Sequence, residues 1–171
     1  MLQDLTLKPL DIHDAKPLLA FELENQTWFE RHISAREKDF YSLTGVQIHI
    51  ANLLLDKHQG LGEPYLLIGG NEEILGRINL THIDMQSGKA FVGYRIGEHY
   101  AGNGVAKRGV SLLLQLANQR KLSRIVAVAS VNNVGSQKVL LHHGFKQKQR
   151  LTEFTQVQGK SLDCFEYWLD L

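Results

Sequence analysis

Hydrophobic positions recur along the chain with the spacings of both strands and helices. Alternating or continuous apolar runs predict seven strands, over residues 5–10, 65–69, 74–83, 91–96, 125–131, 145–154 and 162–169. Apolar residues three and four positions apart predict helices after an N-cap at Asp11, after Thr44, over 105–118, and from Asn132 or Asn133 to Gly144. The order is strand, two helices, three antiparallel strands, helix, strand, helix and two strands, which is a mixed α/β sheet.

Length and composition predict one domain over residues 1–171. The chain has 171 residues, 43% hydrophobic and 22% charged, which suits one packed core. A net charge of +1 without a long basic block argues against nucleic acid as a partner. Cys164 is the single cysteine, which excludes an internal disulfide and favours a reducing compartment. No cationic leader opens the chain and no apolar run approaches the ~18 residues of a membrane span, so we expect a cytoplasmic protein without a membrane partner.

The most informative stretch joins the strand over 91–96 to the helix that begins at Val105. Its loop has glycines at 102 and 104, which permit positive φ and close approach of the backbone. The N–H groups of such a loop and of the first helical turn form a site for a phosphate or pyrophosphate. Lys107 stands where the Rossmann pattern needs a third glycine, and no Walker sequence occurs. The alternative is a tight strand-to-helix turn that binds nothing.

Two motifs resemble the GNAT acetyltransferases. The loop over 99–104, His-Tyr-Ala-Gly-Asn-Gly, is similar to the family's pyrophosphate loop Gln/Arg-x-x-Gly-x-Gly/Ala, with His99 at the first position. Residues 133–145 resemble the family segment Asn-x-x-Ser-x-x-Val-Leu-x-x-x-Gly-Phe and follow one strand later, as in the family. Residues 21–25 and 93–97 are similar to the RimJ/RimL type of N-terminal acetyltransferase. The resemblance implies the GNAT fold, a mostly antiparallel sheet with a splayed parallel strand pair and flanking helices.

The resemblance also implies acetyl-CoA as the cofactor, bound where two parallel strands that end near Ile96 and Val131 part. The pantetheine arm would run beside the strand backbone as an added strand. Asn133 would hydrogen-bond the cofactor's amide region, or would only cap its helix. The predicted cofactor site comprises Tyr94, Arg95, Ile96, His99, Ala101, Gly102, Asn103, Gly104, Val105, Ala106, Asn133 and Ser136.

Other charged residues add little to this prediction. Lys107, Arg108 and Lys138 are candidates for the CoA phosphates, or are simply solvated charges. The eight histidines have no metal-ligand spacing, so no metal is expected.

The two catalytic groups familiar in the family are absent from this chain. Many GNAT enzymes use a tyrosine acid in the last helix and a glutamate base in the central strand, and Leu140 and Ala90 occupy those positions. The RimL-like pattern implies Ser136 as the acid, against the alternative of a polar residue in a helical turn. Glu24 is the best candidate for the base, against the alternative of a surface charge, and His82 and Tyr94 are lesser candidates.

We expect direct transfer of an acetyl group to a primary amine, most simply the N-terminal α-amine of a protein or peptide. An α-amine titrates near ~8 and lysine near ~10.4, so the α-amine needs less help from a base. A small amine is the alternative, and a polycation would need an acidic pocket, for which the candidates are Glu22, Glu24, Glu30, Asp39 and Glu72. A non-catalytic acetyl-CoA-binding module is a further alternative. The family resemblance also makes a homodimer a candidate assembly.

Overall fold

A seven-stranded sheet forms the centre of the computed structural model, which describes residues 4–171. Residues 1–3, part of the segment considered above for a leader, lie outside the described residues. The strands confirm all seven predicted segments: β1 Thr6–Pro9, β2 Glu63–Ile68, β3 Ile74–Asp84, β4 Lys89–Ile96, β5 Arg124–Ser130, β6 Lys146–Val157 and β7 Lys160–Asp170. Their spatial order is β1-β2-β3-β4-β5-β7-β6, so the first strand lies at an edge, as predicted.

The pair β4 and β5 is the single parallel pair among the strand contacts of residues 4–171. Its ladder joins Lys89–Val92 of β4 to Arg124–Ala127 of β5 and then stops, although both strands continue. Every other ladder of the sheet is antiparallel. The predicted splayed parallel pair is therefore confirmed, and the gap opens at the carboxyl ends of the two strands.

Five α-helices connect and flank the strands. They are α1 Ala15–Glu24, α2 Gln26–Phe29, α3 Leu43–His58, α4 Val105–Gln119 and α5 Val134–His142. Asp11 does begin the first helical region, but its side chain caps a 3-10 turn over Ile12–Asp14 that leads into α1. No helix within residues 4–171 is long and apolar enough to cross a bilayer.

The predicted cap of α3 at Thr44 is wrong. Ser42 is the N-cap, and its Oγ accepts a hydrogen bond from the N–H of Gly45 at 3.0 Å. The same hydroxyl donates to the Asp39 carbonyl at 2.8 Å, which ties α3 to the preceding 3-10 turn. Thr44 lies inside the first turn of α3 and is exposed.

Two apolar layers cover the two faces of the sheet. On one face α1, α2 and α3 pack on β2 through Leu10, Ala15, Leu18, Phe21, Phe29, Val46, Ile50 and Leu66. On the other face α4 and α5 pack on the central strands through a larger set that includes Leu67, Ile78, Val110, Leu113, Ile125 and Leu140. Leu66 and Leu67 contribute to opposite layers because successive side chains of a strand point to opposite faces.

Replacing Ser42, the observed N-cap of α3, should destabilise the protein, whereas replacing Thr44, the predicted N-cap, should not. Ser42→Ala leaves a first-turn N–H of α3 without its acceptor, so we expect the free energy of unfolding to fall by about 1 kcal/mol. Thr44→Ala, the matched control, should change it by less than about 0.5 kcal/mol, as is usual for an exposed site. Urea denaturation measures both, and equal losses in the two variants would contradict this assignment.

Candidate active site

A cleft of about 570 Å³ lies where β4 and β5 part. One wall comes from the end of β4 and the loop that follows it, and another from the start of α5 after β5. A third comes from the α2 region on the opposite face of the sheet. The lining residues are Trp28, Phe29, His32, Ile33, Tyr94, Arg95, Ile96, Tyr100, Ala101, Gly102, Gly104, Val105, Ala106, Lys107, Asn132, Asn133, Val134, Gly135, Ser136, Lys138 and Val139.

The loop between β4 and α4 has the geometry of an anion cradle. Gly102 has φ 76° and Gly104 has φ 81°, both in the left-handed region that glycine adopts without strain. Gly104 is the N-cap of α4 and offers no side chain, so no side-chain cap accepts from the first-turn N–H groups. These donors and the positive end of the helix are therefore available to an anionic ligand at the cleft wall.

Two lysines add positive charge to the same wall. Lys107 and Lys138 line the cleft, whereas Arg108, the third candidate for the CoA phosphates, is not among the lining residues. The cradle, the unpaired end of β4 and the volume of the cleft together fit an elongated ligand with a phosphate-bearing end, which is the shape of acetyl-CoA.

The start of α5 carries the predicted acid. Asn133 caps the helix, because its side-chain oxygen accepts from the N–H of Ser136 at 3.1 Å. Ser136 Oγ lies 2.9 Å from Tyr94 Oη, so a strand and a helix on the two sides of the cleft meet through two hydroxyls. Burial raises the pKa of Tyr94 to about 12, although the hydrogen bond between Tyr94 and Ser136 acts in the opposite direction. Tyr94 is therefore protonated at neutral pH, and its hydroxyl is able to donate a proton.

Aromatic residues after α1 form the opposite part of the cleft. Trp28 Nε1 donates to the carbonyl of Ile96 at 3.0 Å, which holds α2 against the end of β4. The rings of Trp28 and His32 meet edge to face at 5.2 Å, and Phe29 lies beside them in the lining. Asn25 reinforces this junction, because its side-chain oxygen accepts from the N–H of Glu98 at 2.8 Å.

A buried ionic cluster lies behind the aromatic wall. Glu22 is fully buried, with one oxygen 2.5 Å from Arg77 Nη1 and the other 3.4 Å from Arg95 Nη1. Arg36 Nε is 3.9 Å from the same second oxygen of Glu22. Glu22 is therefore a structural counter-ion, and it is not available to an acidic acceptor pocket.

Several of the predicted site residues lie elsewhere. His99 and Asn103 belong to the loop but are not among the residues that line the cleft. Glu24 is largely exposed and lies 3.7 Å from His99, at a separate hollow of about 270 Å³ that Glu72 also lines. His82 is exposed on β3 beside Phe91. The structure thus brings Ser136 together with Tyr94 and Asn133, and it does not bring Glu24 into the same cavity.

The sequence reasoning missed the cleft-facing roles of Trp28, His32 and the Arg95 side chain. For Trp28 and His32 the sequence signal was the aromatic and charged run over residues 28–32, directly after α1. No local pattern identifies the function of such a run. The described part of the chain contains no group of three His, Cys, Asp or Glu side chains placed to hold a metal ion.

Comparison with known proteins points to one family. The model of the acetyltransferase (GNAT) domain matches residues 4–146. The chain is 27% identical over 161 residues to the probable N-acetyltransferase YjcK of Bacillus subtilis, a match covering 90% of this chain and 86% of that protein. It is 25% identical over 150 residues to the ribosomal-protein-serine acetyltransferase of Escherichia coli, covering 84% of this chain and 79% of that protein. The structure of Mycobacterium smegmatis RimJ in complex with CoA-disulfide has the same fold, with a TM-score of 0.90, 21% identity, and coverage of 97% of this chain and 81% of that chain.

The cradle can be tested by a change at Gly104. A valine there would be strained at φ 81° and would distort the loop, so we expect Gly104→Val to weaken acetyl-CoA binding by more than about tenfold, the loss of one charge-assisted contact. Gly60→Val is the matched control, because Gly60 has φ 76° and open space around it but lies after α3. Calorimetric titration measures acetyl-CoA binding by both variants, and thermal melting shows whether each is folded. Normal acetyl-CoA binding by a folded Gly104→Val variant would contradict the assignment of this loop as the phosphate site.

Proposed function

The chain belongs to the GNAT acetyltransferase family, and we propose that its acceptor is the N-terminal α-amine of a protein or peptide. It is an acetyl-CoA-dependent N-acetyltransferase, as the sequence motifs predicted. The similarity to a ribosomal-protein-serine acetyltransferase and to RimJ supports a protein acceptor. Membership in an enzyme family favours turnover over the alternative of a binding module.

No Asp or Glu is among the residues that line the cleft, and this observation favours an α-amine acceptor over a polycationic one. A polyamine or an aminoglycoside keeps several positive charges when bound, and these need carboxylates close by. The five acidic residues considered for such a pocket do not converge in the cleft, and Glu22 is neutralised by arginines. An aromatic and largely apolar wall fits instead the backbone and first side chains of a peptide.

The end of the cleft beside α4 would hold acetyl-CoA. Acetyl-CoA supplies an acetyl group that is activated as a thioester. The N–H groups of the loop and of the first turn of α4, from Ala101 to Ala106, would hold its pyrophosphate, with Lys107 and Lys138 near by. The free edge of β4 at Tyr94, Arg95 and Ile96 would pair with its pantetheine arm, because β5 does not occupy that edge beyond Val92.

Proton transfer is assigned to residues that face the cleft. We propose that Ser136 holds a proton for the departing sulfur and that Tyr94, hydrogen-bonded to it, keeps this hydroxyl oriented and supplied. His32 is the histidine of residues 4–171 that lines the cleft, and its imidazole is the best-placed group to accept the proton of the incoming ammonium. Glu24 as the base would require a change in position, because it lines another hollow.

The acceptor class can be tested directly with matched peptides. A lysine-free peptide with a free α-amine should release CoA thiol, whereas the same peptide with a blocked N-terminus and one added lysine should not. Turnover should rise towards pH ~8, since the α-amine must lose its proton before it attacks. Acetylation of the blocked lysine peptide or of spermidine, with no product from the free α-amine, would contradict the proposal.

The hydroxyl pair can be tested by removing each oxygen in turn. Ser136→Ala should lower kcat by about 10²-fold, the lower end of the effect of general acid catalysis. Tyr94→Phe should lower kcat less, because Ser136 keeps its own hydroxyl. Acetyl-CoA affinity should change less than about twofold, since neither hydroxyl is assigned to the phosphates.

Two variants serve as controls for this pair. Ser123→Ala and Tyr65→Phe remove hydroxyls whose partners, Gly88 and Glu63, lie outside the cleft, and both should keep wild-type kcat. Full activity of Ser136→Ala would remove this serine from the mechanism.

A further inference from the structure

The ionic cluster behind the aromatic wall contains more positive than negative charge. Three guanidinium groups, those of Arg36, Arg77 and Arg95, surround the single carboxylate of Glu22. The neighbouring His49 does not alter this balance, because burial and the adjacent arginines lower its pKa to about 3 and keep it neutral. Two positive charges are therefore in excess at a site that is mostly removed from water.

Tyr41 is the other titratable group that faces this cluster. Burial raises the pKa of its phenol, with Glu30 contributing, so Tyr41 is neutral at pH 7 and supplies no counter-charge. Glu30 itself receives hydrogen bonds from Gln26 at 3.0 Å and from Tyr41 at 3.5 Å. The ion pairs of the three arginines within residues 4–171 go to Glu22 and not to Glu30.

The three arginines differ in how well their donors are used. Arg77 is almost fully buried and bonds both Glu22 and His49, at 2.5 and 2.8 Å. Arg36 stacks on the Phe40 ring at 4.0 Å, and its buried Nε has no hydrogen-bond partner. Arg95 lines the cleft and reaches Glu22 through a single contact of 3.4 Å. The unused donor capacity thus lies at Arg95 and Arg36.

Space is available beside Arg95 on the same face of the sheet. Tyr94 and Arg95 are adjacent on β4 and point to opposite faces, so Arg95 faces the α1 and α2 side while Tyr94 meets Ser136. Gly93 shares the face of Arg95, and a Cβ added there would meet no atom within 4 Å. A bare strand position next to a guanidinium leaves room for a bound group above the sheet.

We propose that Arg95, supported by Arg36, binds a carboxylate of the acceptor substrate. This inference rests on the proposed function and specifies it further: the preferred protein N-terminus carries an aspartate or glutamate within its first few residues. A guanidinium matches a carboxylate through two parallel N–H···O bonds, and the surrounding aromatic rings exclude water from such a pair. The same charge excess repels a lysine or a polyamine at this position.

The test compares peptides that differ at one position. A lysine-free peptide with a free α-amine is prepared with Asp, Asn or Lys at position 2, 3 or 4. For at least one position, kcat/KM should be about tenfold higher for Asp than for Asn, the value of one charge-assisted hydrogen bond, and lower still for Lys.

Variants of Arg95 test whether this side chain causes the preference for Asp over Asn. Arg95→Gln should bring the Asp/Asn ratio of kcat/KM to within about twofold of one, and Arg95→Lys should keep part of the preference, because it retains charge but loses the planar fork. Arg124→Gln is the matched control, since Arg124 pairs with Asp170 at the far end of β5 and should leave the ratio unchanged. The ratio does not depend on how much enzyme is folded, so a destabilised variant still gives a reading.

The possible outcomes distinguish a failure of the carboxylate subsite from a failure of the proposed N-terminal acceptor. Equal rates with Asp and Asn peptides in the wild type, or an unchanged preference in Arg95→Gln, would overturn the carboxylate subsite while leaving N-terminal acetylation in place. If free acidic amino acids were acetylated in an Arg95-dependent manner and no peptide were, the subsite would stand with a small-molecule carboxylate. The protein acceptor would then be wrong.

Discussion

The early end of the ladder between β4 and β5 is the constraint on which the site depends. Only four residues of each strand pair, so the remaining backbone of β4 faces a gap. Buried N–H and C=O groups are costly to leave without partners, and the protein satisfies one of them by the bond from Trp28 to the Ile96 carbonyl. The rest of that edge is available to an extended ligand. Because α4 and α5 each follow one of the two parting strands, both helix N-termini open on the same gap.

The half of the cleft proposed to take the acceptor is held in place by contacts that reach across the sheet edge. Asn25 accepts from the loop after β4, and Trp28 donates to the end of β4, so α2 cannot shift without disturbing the cofactor side. Glu22 anchors the same region from inside through Arg77 and Arg95. A buried carboxylate is tolerated only when it is well paired. Here one carboxylate is surrounded by three guanidinium groups, so positive charge is in excess. That surplus charge is on the face at which the amine would arrive.

The sequence predicted the scaffold and the glycine loop better than it predicted the α2 wall of the cleft, for a physical reason. Strand and helix periods and the left-handed glycines are local properties, and the structure confirms them at Gly102, Gly104 and Gly144. Glu24 and Glu22 are two residues apart on one helix and point in different directions, so a distant arginine rather than local pattern decides which one is buried. The contact between Tyr94 and Ser136 likewise joins residues 42 positions apart. No spacing rule foresees such pairs.

The absence of the familiar tyrosine of the last helix does not imply lost chemistry. Leu140, which occupies that position, is 1% exposed and belongs to the core, so a hydroxyl there would lack room and partners. Ser136 precedes it by four residues and lies on the same face of α5, one turn nearer the N-terminus. There the positive end of the helix favours negative charge that develops on a departing sulfur. In the proposed mechanism the proton donor thus lies one helical turn nearer to the gap than Leu140, and Tyr94 contributes a phenol from the strand.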